Sequence, residues 1–223
     1  MSASYAALKS ILSAYIKACS IHRFVQGEFP LPEGPKIIAA NHAYATDAFQ
    51  LPFLFREPLH FVMQKSFFAN PFLARMFQQA GQIEVSGERG QAFQRACEIL
   101  ANDGTVVIFP EGRLVPPGQR CPARTGTIRM ALASGAPIIP LGMHTAPENV
   151  ANINLHWKGR PRSGLWQVRG TCILKFGAAW RPEPSNVHAL TDELMNRIYS
   201  LVNEIRKELP CASPTLPNPI LQW

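Results

Sequence analysis

The sequence predicts an α/β fold: a single domain with a mostly parallel or mixed central sheet flanked by helices, plus an N-terminal amphipathic helix. Three observations carry this. The chain has 223 residues, which at about 150 residues per domain allows one domain with a short appendage. Short, β-branched apolar runs alternate with segments of helical period, the pattern of a sheet covered on both faces. There are no internal repeats, and the 15 Gly and 20 Pro stay below the roughly 25–30% that marks low-complexity disorder.

The elements follow in order. Tyr5 to Phe24 reads as one amphipathic helix, because Leu8, Ile11, Leu12, Tyr15, Ile16 and Cys19 recur at steps of three and four with Lys9 and Lys17 off that stripe. Such a stripe covers a core or, with flanking lysines, lies on a membrane surface. Residues 1–27 are therefore read as an N-terminal helical segment, 28–209 as the domain and 210–223 as an irregular, proline-bearing tail. Ile37 to Ala40 is a buried strand ending at Asn41-His42. Asp47 to Phe55 is helical, with Thr46 or Asp47 as its cap. His60 to Met63 is a strand. Asn70-Pro71 supplies a cap and a first-turn proline for a helix running to Gly81. Ile83 to Val85 is a strand and Glu88 to Leu100 a helix stopped near Gly104. Thr105 to Phe109 is a β-branched strand delivering Pro110-Glu111-Gly112-Arg113. Thr127 to Ala133 is a helix stopped by Gly135, and Ile138 to Leu141 a buried strand. Ala146 to Gly170 lacks a clean period and reads as an insertion or a hairpin. Cys172 to Phe176 is the last strand and Thr191 to Leu209 the last helix.

Charge narrows the partners. Charged residues are 17% of the chain against a usual value of about 25%, yet the net charge is +7. Between Gly112 and Pro182 ten bases face one acid, Glu148, which makes that segment +9 and the remainder −2. Anionic partners are favoured there. The longest uncharged stretch, Met130 to Pro147, is broken by proline and glycine and is too short for a membrane span. Lys9 and Lys17 interrupt the N-terminus and no small-residue cleavage site follows, so a secretory signal is not expected. Five widely spaced cysteines without a C-x-x-C argue against a disulfide framework or a zinc knuckle. Nucleic acid is disfavoured: there is no aromatic RNA-binding motif and no basic helix.

Two constellations carry chemistry. His42 and Asp47 stand where a strand ends and a helix begins, the location at which open α/β sheets bind ligands. A carboxylate that takes the imidazole Nδ1 proton fixes the tautomer and frees Nε2 as a general base. By itself His-x4-Asp is a common spacing. Phe109-Pro110-Glu111-Gly112-Arg113 follows another buried strand, and a carboxylate, a flexible glycine and an arginine there suit recognition of hydroxyls and phosphate, although an ordinary turn with an ion pair has the same composition. Gly135 to Leu141, a proline-bracketed strand, reads alone as packing.

In this order and spacing the blocks resemble the glycerolipid acyltransferase family, typified by the 1-acylglycerol-3-phosphate acyltransferases. Asn41-His42 to Asp47 matches its N-H-x4-D motif, Phe109 to Gly112 its F-P-E-G motif, and Ala136 to Leu141 its late proline-bracketed motif. The resemblance spans Lys36 to Met143. It implies transfer of a fatty acyl group from acyl-CoA or acyl carrier protein to a lysophospholipid hydroxyl, with no cofactor, metal or covalent acyl-enzyme. Carried over by position, His42 is the base and Asp47 its orienting partner. Asn41, Glu111, Gly112 and Arg113 contact the acceptor, and Pro140 shapes the acyl groove. The family usually has one residue between the Gly of F-P-E-G and its Arg, whereas Arg113 follows Gly112 directly. The arginine of the family's G-x-I-x-V-x-R motif falls at Gly87, with Arg89 the nearest substitute. Both departures touch phosphate recognition and leave the acceptor open between lysophosphatidate and another lyso-lipid, such as a lyso-ornithine lipid. A catalytically silent lipid-binding protein on the same fold is the remaining alternative. The basic segment 146–170, with Trp157 and Trp166, suits an anionic membrane surface or the coenzyme's phosphates, and a peripheral location on the cytoplasmic side of a membrane is expected.

Overall fold

The structure, a computed structural model, describes residues 2–85, 90–157 and 160–209. The chain runs α1 (Ala3–Ala18), β1 (Ile21–Gly27), β2 (Lys36–Ala40), α2 (Asp47–Gln50), β3 (Leu59–Gln64), α3 (Pro71–Gln79), β4 (Ile83–Val85), α4 (Gln91–Ala101), β5 (Thr105–Ile108), α5 (Gly126–Ser134), β6 (Ile138–Thr145), β7 (Val150–Trp157), β8 (Arg160–Gln167), β9 (Gly170–Phe176) and α6 (Val187–Glu208). Seven strands form one sheet in the order β1-β9-β6-β2-β5-β3-β4. Its neighbours are parallel except β6 and β9, which are antiparallel. This is the expected mostly parallel, mixed sheet with helices on both faces.

Strand β2 lies at the centre because it can be buried on both sides. Ile37, Ile38, Ala39 and Ala40 are all fully buried, and successive side chains point to opposite faces. Ile37 and Ala39 join Val106, Ile138 and the inner faces of α4, α5 and α6, through Ile99, Ile128 and Leu194. Ile38 and Ala40 join Val107, Ile139 and Leu141 with Leu51, Phe55 and Phe176. Each isoleucine so placed is worth about 1.5–3 kcal/mol of burial.

Several local expectations hold. Asn70 Oδ1 accepts from the backbone N–H groups of Phe72 (3.0 Å) and Leu73 (3.2 Å), capping α3. Gly135, at φ +68°, ends α5. Others are corrected. The single N-terminal helix ends at Ala18, and after Ser20, at φ +49°, the chain becomes strand β1. Residues Ile21 to Gly27 pair in register with Gly170 to Phe176, a partner that local periodicity cannot reveal. The α1 stripe is only partly covered: Tyr5 and Ile16 are buried, while Ile11 remains 60% exposed. The helix expected over Asp47–Phe55 stops at Gln50 and continues as one 3-10 turn, Leu51–Phe53, at Pro52, whose ring nitrogen has no proton to donate. Thr46 does not cap it, since its hydroxyl accepts the N–H of Gln167 instead (3.1 Å).

The aperiodic segment 146–170 is a β7–β8 hairpin, docked rather than free. Ala45 N–H donates to Leu165 O (2.8 Å) and Tyr15 Oη to Gln167 O (2.5 Å). Trp166 makes edge contacts with Tyr15 and Phe49. Gly87, Arg89, Lys158, Cys211 and the tail from 210 lie outside the described residues, as do the side chains of Trp157, Arg160 and Arg162. Among the described residues no helix is long and apolar enough to cross a membrane.

Candidate active site

The topology decides which loops meet. Strand β2 pairs in parallel with β5 on one side and β6 on the other, so the residues following β2 and β5 emerge beside the C-terminal half of β6. Asn41 fixes this convergence. Its side chain donates to Met143 O (3.0 Å) and accepts from Met143 N–H (2.7 Å), tying the end of β2 to β6 as a ladder pair would. Asn41 is thus a clamp at the base of the site, and it also lines the cavity that His42 borders.

His42 follows, with Nδ1 3.1 Å from Asp47 Oδ2. The same carboxylate oxygen accepts the Tyr44 backbone N–H at 2.8 Å, so the 42–47 turn is closed on Asp47, which is 3% exposed. The imidazole stacks on Phe109, with centroids 4.1 Å apart and planes inclined by 17°. One ring face and one nitrogen are therefore held, and the His42 side chain keeps 20% of its surface open. With its proton on Nδ1 toward Asp47, the lone pair of Nε2 is available for a proton from a bound hydroxyl.

Glu111 comes from the turn after β5 and is 5% exposed. Oε2 accepts the His42 backbone N–H at 2.7 Å and Oε1 accepts the Tyr199 hydroxyl at 2.5 Å. Burial pushes its carboxyl above the usual range, opposed by the hydrogen bonds from Tyr199 and His42. Tyr199, on α6, is itself raised, first by burial and then by Glu111. Gly112 turns the chain at φ +64°, where a Cβ would come within 2.8 Å of Arg124 Nε. Its carbonyl accepts from Gln64 Nε2 at 2.8 Å.

These groups border a cavity of about 260 Å³, lined by His42, Tyr44 and Glu111, by the loop Val115–Arg120, by His144, and by Tyr199, Asn203 and Arg206 of α6. Burial, with the Arg206 charge second, holds His144 below the ordinary histidine range. Of the residues expected from sequence, His42, Asp47, Asn41 and Glu111 come together. Arg113 is exposed and is not among the cavity's lining residues. Pro140 is buried inside β6 opposite Ala39, also away from the lining. Tyr199, Arg120, His144 and Arg206 were not legible as site residues. For Tyr199 and Arg206 the signal was the 199, 202, 203, 206 spacing on α6, which places those positions on one helical face, and Arg120 belonged to the +9 segment.

Fold and site together define an acyltransferase: the chain belongs to the Acyltransferase family, whose model matches residues 22–144. Among characterised relatives, the 1-acyl-sn-glycerol-3-phosphate acyltransferase of Pseudomonas aeruginosa is 27% identical over 190 residues, covering 83% of this chain and 69% of that protein. The enzyme of the same name from Limnanthes alba is 27% identical over 118 residues, 49% of this chain and 42% of the plant protein. The crystal structure of the 1-acyl-sn-glycerophosphate (LPA) acyltransferase PlsC from Thermotoga maritima shares the fold, with TM-score 0.67 at 19% identity over 95% of this chain and 83% of that one.

Proposed function

We propose that this acyltransferase moves a fatty acyl group from acyl-CoA or acyl carrier protein to the free hydroxyl of a lysophospholipid, 1-acylglycerol-3-phosphate, with His42 as general base. The observation that carries this reading is the His42–Asp47 contact of 3.1 Å on an imidazole that borders a cavity. The acceptor hydroxyl gives its proton to His42 Nε2 as its oxygen bonds to the thioester carbon. The C–S bond then breaks, and the departing thiolate takes that proton from the imidazolium. Asp47 holds the tautomer and stabilises the imidazolium, and Phe109 keeps water from one ring face. Glu111 anchors the His42 backbone. Gly112 turns the chain beside Glu111, and Arg113 and Pro140, which lie off the cavity's lining, make no direct contact in this step.

The relatives' shared name supports this acceptor. Contact with an anionic membrane surface fits the exposed Phe72 (76%), which lines an open cleft of about 400 Å³ between α1 and α3, and the exposed Phe67 (54%) and Ile11 (60%). The test is mass-detected transfer by the purified chain from acyl-CoA to lysophosphatidate, with lyso-ornithine lipid as the competing acceptor. His42→Ala should lower the rate about 10²–10⁴-fold, the usual worth of a positioned base. Unchanged turnover in that variant removes His42 from the role, and preferential use of the phosphate-free acceptor reassigns the substrate.

A further inference from the structure

We propose that Arg120 and Arg206, which share the cavity with His42, form the cradle for the acceptor's phosphomonoester; this rests on the acyl-transfer reading above. Arg120 comes from the loop after the F-P-E-G-R turn and Arg206 from the last turn of α6, and both line the same cavity as the imidazole. Arg113 does not.

Neither arginine is neutralised: Arg120 is held by two contacts, and the Arg206 charge acts on His144 and Tyr44 of the same cavity. Arg120 Nη1 donates to Asn196 Oδ1 at 3.1 Å, and its Cζ lies 4.7 Å from the centroid of the Tyr199 ring. These contacts fix its direction and leave other N–H donors unused. Among the described residues no carboxylate lies within ion-pairing distance of either arginine. The acids nearby are committed elsewhere: Glu204 and Glu208 pair with Lys175, and Glu111 already accepts from Tyr199 and the His42 backbone.

Two arginines lining a common space, with its one acid engaged, fit a dianion that accepts several charge-assisted hydrogen bonds. At about 260 Å³ the cavity lies below the usual 300–1,000 Å³ of sites for larger ligands. It suits a glycerol-phosphate headgroup better than the nucleotide end of a coenzyme. About two turns of α6 separate Arg206 from Tyr199, so the helix that anchors Glu111 also carries one arm of the cradle.

The test combines binding and kinetics on the full chain. In calorimetry, sn-glycerol 3-phosphate should bind the wild type, weaken about tenfold or more in Arg120→Gln and in Arg206→Gln, and be lost in the double variant. Arg206→Lys should recover part of the loss. Arg129→Gln, which removes one exposed charge from α5, should bind as the wild type does. In transfer assays the preference for lysophosphatidate over 1-monoacylglycerol should fall about tenfold or more in each cavity variant, with the KM for acyl-CoA little changed. No binding by the wild type, undiminished binding in the double variant, or an equal loss in Arg129→Gln overturns the cradle. A rise in the acyl-CoA KM with acceptor preference intact overturns it in favour of the donor's phosphates. If calorimetry behaves as expected but no acceptor is acylated, the cradle stands and the acyl-transfer reading falls.

Discussion

At the residue scale, the site works by holding groups rather than by crowding reactive ones together. His42 has one nitrogen directed to Asp47 and one ring face on Phe109, so its remaining nitrogen has a defined direction. Asp47→Asn puts an amide against Nδ1 and favours the wrong tautomer; kcat should fall about 10²–10⁴-fold with KM little altered, readable in steady-state transfer assays. Glu111 has the opposite logic. Its carboxyl is raised in the folded state by burial, so the folded chain binds its proton more tightly than the unfolded one. Its contribution is complete below the unfolded carboxyl pKa and is lost as pH rises through the raised folded value. The change in melting temperature on Glu111→Gln should therefore be more favourable at pH 8 than at pH 4, while transfer falls because the His42 backbone loses its charged acceptor. A change in melting temperature less favourable at pH 8 than at pH 4 contradicts that assignment. Cys172, fully buried with its thiol pushed up to about 12 by burial, packs in the core beside Leu174 and Phe176.

At the scale of elements, two joints set the geometry. Asn41 bonds β2 to β6 through both backbone groups of Met143. Asn41→Ala leaves two buried groups unsatisfied and should cost about 2–4 kcal/mol, seen as a fall in Tm of roughly 5–15 °C. The second joint is Gly142, where α6 crosses β6. A Cβ there would meet Leu201 Cβ at 2.7 Å and Val202 N at 2.8 Å, so Gly142→Val should push α6 away from the sheet. Overpacking of this kind costs about 1–3 kcal/mol, and it moves Tyr199 off Glu111, so transfer should fall with stability. Gly135→Ala is the comparison: strained at φ +68° but facing open space, it should lower Tm while transfer persists. The same scale shows where sequence reading failed. The short runs around Ile37, Ile83 and Val106 announced strands through their β-branched residues, whereas Ile21 to Gly27 carried the tail of a helical stripe. Its pairing with β9 supplied the backbone partners that override that local pattern.

At the scale of the whole molecule, the +9 segment is partly absorbed by the fold. Lys175 pairs with Glu204 and Glu208, Arg169 donates to Glu148 O, and Arg181 donates to Gly135 O. Trp166 packs against Tyr15 and Phe49 rather than standing out as an anchor. The membrane contact proposed above would then rest on the exposed apolar residues of α1 and α3 together with the remaining positive charge, each Lys or Arg near an anionic surface being worth about 1 kcal/mol. In flotation with anionic vesicles, Phe72→Ser should weaken binding about tenfold, the worth of one partly inserted aromatic ring, and 0.5 M salt should weaken it further by screening. Indifference to both changes rules out this surface. The sequence by itself determined the alternation of strands and helices, the ends of β2 and β5, and the His42, Asp47 and Glu111 positions, because period, capping and motif spacing are local properties of neighbouring residues. Only the tertiary structure decided that β1 is a strand, that Asn41 is a clamp, and that Arg120 and Arg206 rather than Arg113 share a cavity with His42. Those outcomes depend on which distant segments pack together, and no local pattern encodes a partner far along the chain.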